Sequence, residues 1–352
     1  MIVYAVWNNK GGVGKSYLTF QLASEYAKNH RAKKVLVIDL CPQSNSSLTF
    51  LGGIVNQGDE NLSDIQKAVP RKTIAGYIQH RIKSPYVSPK TGSEFPIQVC
   101  NYNEYIPENL FLVAGDEQLE ALTSRVFGAS TIGPEDAWRI VHLWIKNLID
   151  DIADSWNTDD ICVFIDCNPS FSIYTELALT AADRLLIPFS VDGASKRSIK
   201  TLLSLVYGQR RHEQDVQTEF HLNSLKYRME LPKIYMYIGN RLTQMNKTSA
   251  SAFKTVVNEI GEELWKTWQG NPNIFLIHPS GTPIPSAKKS FQKMFQFEIN
   301  DANSASVVSS ACGIPISVLP SGPKIILGNK IMVNISQLEK QIPNIKALTD
   351  QL

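Results

Sequence analysis

The segment that most constrains this chain is Asn8-Asn9-Lys10-Gly11-Gly12-Val13-Gly14-Lys15-Ser16, which separates an unbroken apolar run from an amphipathic one. Residues 2–7 (IVYAVW) contain no charged or amide side chain, as a strand buried on both faces requires. Residues 17–28 place Leu18, Leu22 and Tyr26, with Phe20, Ala23 and Ala27, at helical spacing. Strand, glycine-rich turn and helix, in that order, form the context of a phosphate-binding loop. Its glycines let backbone amides crowd around phosphate oxygens, and the helix start adds the positive end of its dipole. Gly11, Gly12, Val13, Gly14 and Tyr17 would complete the cradle. Lys15 would reach the β- and γ-phosphates, and the Ser16 hydroxyl would join the shell of a magnesium ion.

The loop departs from the common GxxxxGK[ST] pattern, because Asn9 stands at the first glycine position and a second lysine, Lys10, precedes the glycines. In this form it resembles the deviant Walker A loop of the ParA/MinD family of P-loop ATPases. The resemblance implies ATP and Mg²⁺ as ligands and a homodimer in the ATP state. It also implies a catalytic Lys10 that crosses the interface to the partner's nucleotide. Two more segments follow in the family's order. Residues 34–39 (KVLVID) form a strand that ends in Asp39 and runs into LCPQSN, similar to the family's DxDPQxN. Residues 161–166 (ICVFID) end in Asp166 and continue as CNPS, similar to the family's Walker B DxPP with one proline kept. Asp39 is thus expected in a catalytic or metal-binding role, and Asp166 with Ser16 at the metal.

The second aspartate of DxDPQxN, which in relatives positions the attacking water, is Cys41 here. An ordinary thiol titrates near pH ~8.5 and is neutral where a carboxylate would accept a hydrogen bond. Two readings follow: hydrolysis is slow and bound ATP makes a long-lived dimer, or another group orients the water and turnover survives.

Further strands are expected over residues 182–189, 234–241 and 314–319. By resemblance, Asn240 would meet the adenine edge; the plainer alternative is a polar strand-end residue capping a turn. Pro320, after the last expected strand, is a candidate for the base-binding loop. Alternating strands and helices run the length of the chain, which predicts an α/β fold: a doubly wound, mostly parallel sheet flanked by helices, in one domain over 1–352. Proline, glycine and basic residues mark 57–107 as a surface insertion and 271–312 as a second elaboration. A helix is expected over 134–152, where apolar residues keep helical spacing.

With 43% hydrophobic and 19% charged residues the chain can bury a sizeable core. A net charge of +2 argues against a uniformly basic coat, so nucleic acid would need a local patch. From Ala194 to Lys254, eleven basic residues face four acidic ones. Lys196, Arg197, Lys200, Arg210 and Arg211, joined by Lys288 and Lys289, are the candidate non-specific DNA surface; a solvated helical face is the plainer reading. The five cysteines contain no CxxC pair and suggest reduced thiols and a cytoplasmic protein. No apolar run approaches the roughly 20 residues of a membrane helix, and residues 335–352 lack the cationic character of a membrane-surface helix, so no membrane is expected. The reading is an ATP-dependent, dimerising ATPase of DNA-partitioning type that engages DNA or a partner protein. The alternative is a low-turnover ATP switch or scaffold controlling a partner protein. A metabolite- or cluster-handling enzyme is weaker, since it would need a CxxC pair or a substrate pocket.

Overall fold

The computed structural model describes residues 1–190, 194–210, 212, 214–240, 250–300 and 303–352, the side chains of 250–253 excepted. The chain opens with β1 (Ile2–Val6), α1 (Lys15–Asn29) and β2 (Lys34–Asp39). It continues through α2 (Asn45–Phe50), α3 (Gly58–Lys67), α4 (Ile74–Lys83), β3 (Ile97–Gln98) and β4 (Leu110–Val113). Next come α5 (Gln118–Thr131), α6 (Ala137–His142), α7 (Trp144–Trp156), β5 (Ile161–Asp166), α8 (Ile173–Ala181) and β6 (Arg184–Phe189). After α9 (Ser195–Tyr207), α10 (Glu219–Lys226) and β7 (Lys233–Asn240) follow α11 (Ala250–Gly270), α12 (Lys288–Phe295), β8 (Gln296–Ile299) and α13 (Ser304–Cys312). The hairpin β9 (Gly322–Ile326) and β10 (Asn329–Val333) leads into α14 (Ile335–Thr349).

Eight strands form one sheet in the order β3-β4-β2-β5-β1-β6-β7-β8, parallel throughout except for edge strand β3. Alternate residues of β1 feed two separate cores. Val3 and Ala5 pack under α4, α5, α7, α8, α9 and α11, whereas Tyr4 and Val6 pack under α1, α13 and α14. Both faces are covered, which is why the strands read as continuous apolar runs. The expected doubly wound α/β fold is the observed one.

Three local expectations change. The 57–107 segment is not a surface excursion throughout: Ile74, Tyr77, Ile78, Phe95 and Val99 are buried, and the Tyr77 hydroxyl donates to the Trp144 carbonyl at 2.7 Å. The prolines flank α4 and most of its basic residues sit in its last turn, Arg81 being buried there, while its apolar face closes one side of the sheet. Within 271–312, β8 is a parallel strand of the central sheet, pairing Tyr237 with Gln296 and Asn240 with Ile299. Finally, 314–319 is no strand. Its centre is a 3₁₀ turn over Ile316–Val318, and the Ile316 amide donates to Gln21 Oε1 at 2.8 Å. This segment lies on α1 rather than at a sheet edge, so no ladder is available to it.

Candidate functional site

Parallel strands end at one edge of the sheet, which places the glycine loop after β1 together with the ends of β2, β5 and β7. Val13 is fully buried and anchors the loop. Asn8 ties its start to β6, the amide donating to the Pro188 carbonyl at 2.8 Å while Oδ1 accepts from the Lys10 amide at 3.2 Å. Gly14 begins α1 with φ +83°, and a Cβ there would collide with Asn240 Nδ2. Glycine is therefore required both by the backbone and by the neighbour. Gly11 and Gly12, by contrast, have nothing within 4 Å of where a Cβ would stand, so the rim of the cradle is open.

Lys15 is buried and folded back over its own loop, donating to the Lys10 carbonyl at 2.8 Å and the Asn8 carbonyl at 3.3 Å. Burial lowers its pKa, and nearby Asp166 opposes that shift. Lys10 Nζ, expected to reach across to a partner, donates to Ser190 Oγ at 3.1 Å at the end of β6. Tyr17 sends its side chain away from the cradle: its hydroxyl is buried beside Gln341 of α14.

Asp39 and Asp166 pair across β2 and β5 in register, and both are fully buried. They are not equivalent. Asp39 Oδ2 accepts from the Ser47 amide at 2.9 Å and the Ser47 hydroxyl at 2.8 Å, and Oδ1 accepts from the Cys41 amide at 3.1 Å. Asp166 Oδ2 accepts from both Ser16 Oγ and Ser46 Oγ at 2.6 Å, whereas its Oδ1 is buried with no hydrogen-bond partner. Burial raises the pKa of each carboxyl, and for Asp39 the charge of Asp166 adds to the rise. Of the two buried carboxylates, it is Asp166 whose charge is offset by the buried Lys15. An orphaned carboxylate oxygen beside a serine hydroxyl, at the foot of an open amide cradle, fits a polyphosphate with a divalent cation. Ser16 and Asp166 would hold that cation; Asp39, with both oxygens occupied by protein donors, shapes the loop that follows it. Among the described residues there is no cluster of three or more His, Cys, Asp or Glu side chains arranged for a metal.

The Cys41 thiol is nearly buried, and burial, followed by the charge of Asp39, pushes it up to about 12. It is a neutral thiol in the loop that follows β2.

Asn240 is fully buried and donates to the Val13 carbonyl at 2.9 Å, bracing the loop from below. Pro320 is exposed. Val318, two residues before it, lines a groove with Lys28, Arg31 and Lys34, at the end of α1 remote from the cradle.

Three of the seven residues of the candidate DNA surface are charge-compensated. Lys196 pairs with Glu259 at 3.4 Å, Lys200 with Glu263 at 3.2 Å, and Lys288 with Glu262. A count that stops at Lys254 omits these α11 carboxylates. Arg197, Arg210 and Lys289 are exposed, Arg210 donating to Gln217 Oε1 at 2.9 Å. Arg211 lies outside the described residues. Residues that the motifs did not flag are Asn8, Ser46, Ser47 and Ser190. Ser46 and Ser47 directly follow the Asp39 motif, and only their hydroxyl chemistry could have marked them.

A parallel sheet whose first strand feeds a phosphate cradle, flanked by two strand-end aspartates, defines a P-loop nucleotide-binding protein. Residues 1–218 match the family model described as AAA domain. The chain belongs to that family and is of the ParA/MinD type, the class of P-loop ATPases that includes the ParA-like partition ATPases. A replication protein A of Rhizobium rhizogenes is 27% identical over 228 residues, 64% of this chain and 49% of that one. The chain thus spans about half the length of that relative. A protein of Methanocaldococcus jannaschii is 23% identical over 313 residues, covering 88% of this chain and 96% of that one. Among solved structures, apo McdA from Cyanothece superposes with a TM-score of 0.58 at 18% identity, over 99% of this chain and 98% of that one. The ATP complex of a substituted Cyanothece McdA gives 0.58 at 17% identity, over 100% and 97%. Among the described residues no helix is long and apolar enough to cross a membrane.

Proposed function

We propose that this protein is an ATP-gated dimer of partition type. Each protomer holds ATP·Mg²⁺ in the Gly11–Ser16 cradle, and each Lys10 leaves Ser190 to neutralise phosphate charge on the opposite nucleotide. The observation that carries this reading is the partnerless Oδ1 of Asp166 beside Ser16, a cation position built into the foot of the cradle. Lys15 turns from the loop carbonyls to the β- and γ-phosphates, exchanging two weak acceptors for a polyanion. Asn240, whose amide braces the loop, would meet the adenine edge. ATP then stabilises whichever association state binds it more tightly, by RT times the logarithm of the affinity ratio.

The dimer in turn presents a surface to DNA or to a partner protein. Likeness to a replication protein supports the DNA role. Arg197, Arg210 and Lys289, doubled by dimerisation, would contact phosphates without reading sequence. Light scattering after size exclusion, with and without ATP·Mg²⁺, tests the gate: the mass should double with nucleotide, and a monomer at saturating ATP would refute it.

A second reading is a slow switch that holds a partner protein rather than moving DNA, and the neutral, buried thiol of Cys41 favours it. Steady-state ATP turnover with and without DNA separates the two. Stimulated turnover supports the partition ATPase, and tight ATP retention without turnover supports the switch.

A further inference from the structure

We infer that Ser46 is a positioning residue for the magnesium site, an assignment that rests on the nucleotide–magnesium reading above. Two hydroxyls, from Ser16 and Ser46, converge on Asp166 Oδ2 at 2.6 Å each, and this leaves Oδ1 as the one oxygen aimed at an unfilled demand. Ser16 belongs to the cradle and must offer its own oxygen to the cation while still donating to Asp166. Ser46 has no such double duty. It is fully buried, comes from α2 rather than from the cradle, and its hydroxyl donates to Asp166 alone. With two donors on one oxygen the carboxylate plane cannot rotate freely, so Oδ1 keeps its direction.

The neighbouring Ser47 fixes the same turn independently. It gives its amide and hydroxyl to Asp39 Oδ2 and accepts from the Gly115 amide at 2.8 Å. Successive serines of one turn therefore hold the two strand-end aspartates apart, and Ser46 holds the one with metal-binding capacity. Outer-shell donors of this kind are typically worth about 10- to 100-fold in metal affinity, because they orient the ligand and stabilise its charge.

The test is Mn²⁺ binding in the presence of ADP, read by electron paramagnetic resonance on the full chain, beside ADP binding measured in EDTA. Ser46→Ala should weaken Mn²⁺ binding about tenfold while leaving ADP affinity in EDTA unchanged. Ser46→Cys keeps the volume but donates weakly, so it should fall with alanine, whereas Ser46→Thr keeps the hydroxyl and should stay near wild type. The cysteine variant also serves if alanine does not fold. Wild-type Mn²⁺ affinity in the alanine or cysteine variant overturns the role of Ser46 alone. If the wild-type protein itself takes up no Mn²⁺ with ADP, the nucleotide–magnesium reading fails and this inference with it.

Discussion

Asp39 and Asp166 face each other at the ends of neighbouring parallel strands, one with both oxygens hydrogen-bonded and the other with an oxygen left without a donor. That asymmetry assigns them different work. Asp166→Asn should remove the magnesium dependence of nucleotide binding while leaving binding in EDTA intact. It also removes like-charge repulsion from Asp39, so without added cation the variant should be more stable, on the order of 1 kcal/mol. Nucleotide titrations with and without Mg²⁺, and thermal unfolding in EDTA, check both parts.

The two lysines of the loop should separate cleanly. Lys15→Ala should weaken ATP binding by ~100-fold, about 3 kcal/mol, in keeping with a lost charge-assisted contact to phosphate. Lys10→Ala should leave the first ATP contact of the monomer nearly unchanged and abolish nucleotide-dependent dimerisation. Calorimetry measures the first effect and light scattering the second.

Gly14→Ala places a methyl where Asn240 Nδ2 already stands, at a residue with φ +83°. A left-handed conformation costs an L-residue about 1–2 kcal/mol before any clash is counted. The variant should unfold at lower temperature and lose nucleotide binding, whereas Gly11→Ala, in open space, should fold as the wild type does.

Cys41→Asp supplies the carboxylate that the sequence resemblance implies at this position, and puts a third one beside Asp39 and Asp166. Stability without divalent cation should fall by about 1–3 kcal/mol, with recovery on adding ATP·Mg²⁺. If the thiol is what limits turnover, phosphate release should rise by about 100-fold or more, the usual effect of a positioned base. Unchanged turnover would assign water orientation to another group.

His278 carries a pH dependence remote from the cradle. It is buried, stacks on Tyr235 at 4.0 Å and directs Nε2 to the Tyr235 carbonyl at 2.8 Å; burial, chiefly, lowers its pKa. The fold therefore holds fewer protons at this site than the unfolded chain does. Stability contributed by the neutral ring is present above the ordinary histidine pKa and is lost as pH falls below about 6.5. Unfolding midpoints should drop between about pH 7.5 and pH 5, and His278→Asn should flatten that slope.

Much of the frame was legible because its signals are local. The strands ending in Asp39 and Asp166 have the expected boundaries, since an apolar run bounded by a charge and a turn needs no distant partner to be recognised. Segment 57–107 misled because proline, glycine and basic residues report on the ends of α4, not on its apolar face, which only the sheet and α7 make a core surface. The strand expected over 314–319 failed for the complementary reason: its apolar residues bury against α1 and find no ladder. The basic surface was overcounted because the α11 glutamates that neutralise Lys196, Lys200 and Lys288 are 26 to 63 residues away in sequence.

The order of residues alone determined the chemistry on offer: a glycine-rich amide cradle, two lysines, two strand-end carboxylates and a thiol between them in sequence. These depend on side-chain identity and short-range backbone preference. Which carboxylate oxygen is left for a cation, where Lys10 rests, and which serine holds Asp166 were decided only by packing. Those relations join residues far apart in the sequence, and such contacts exist only once the parallel strands bring their ends to one edge.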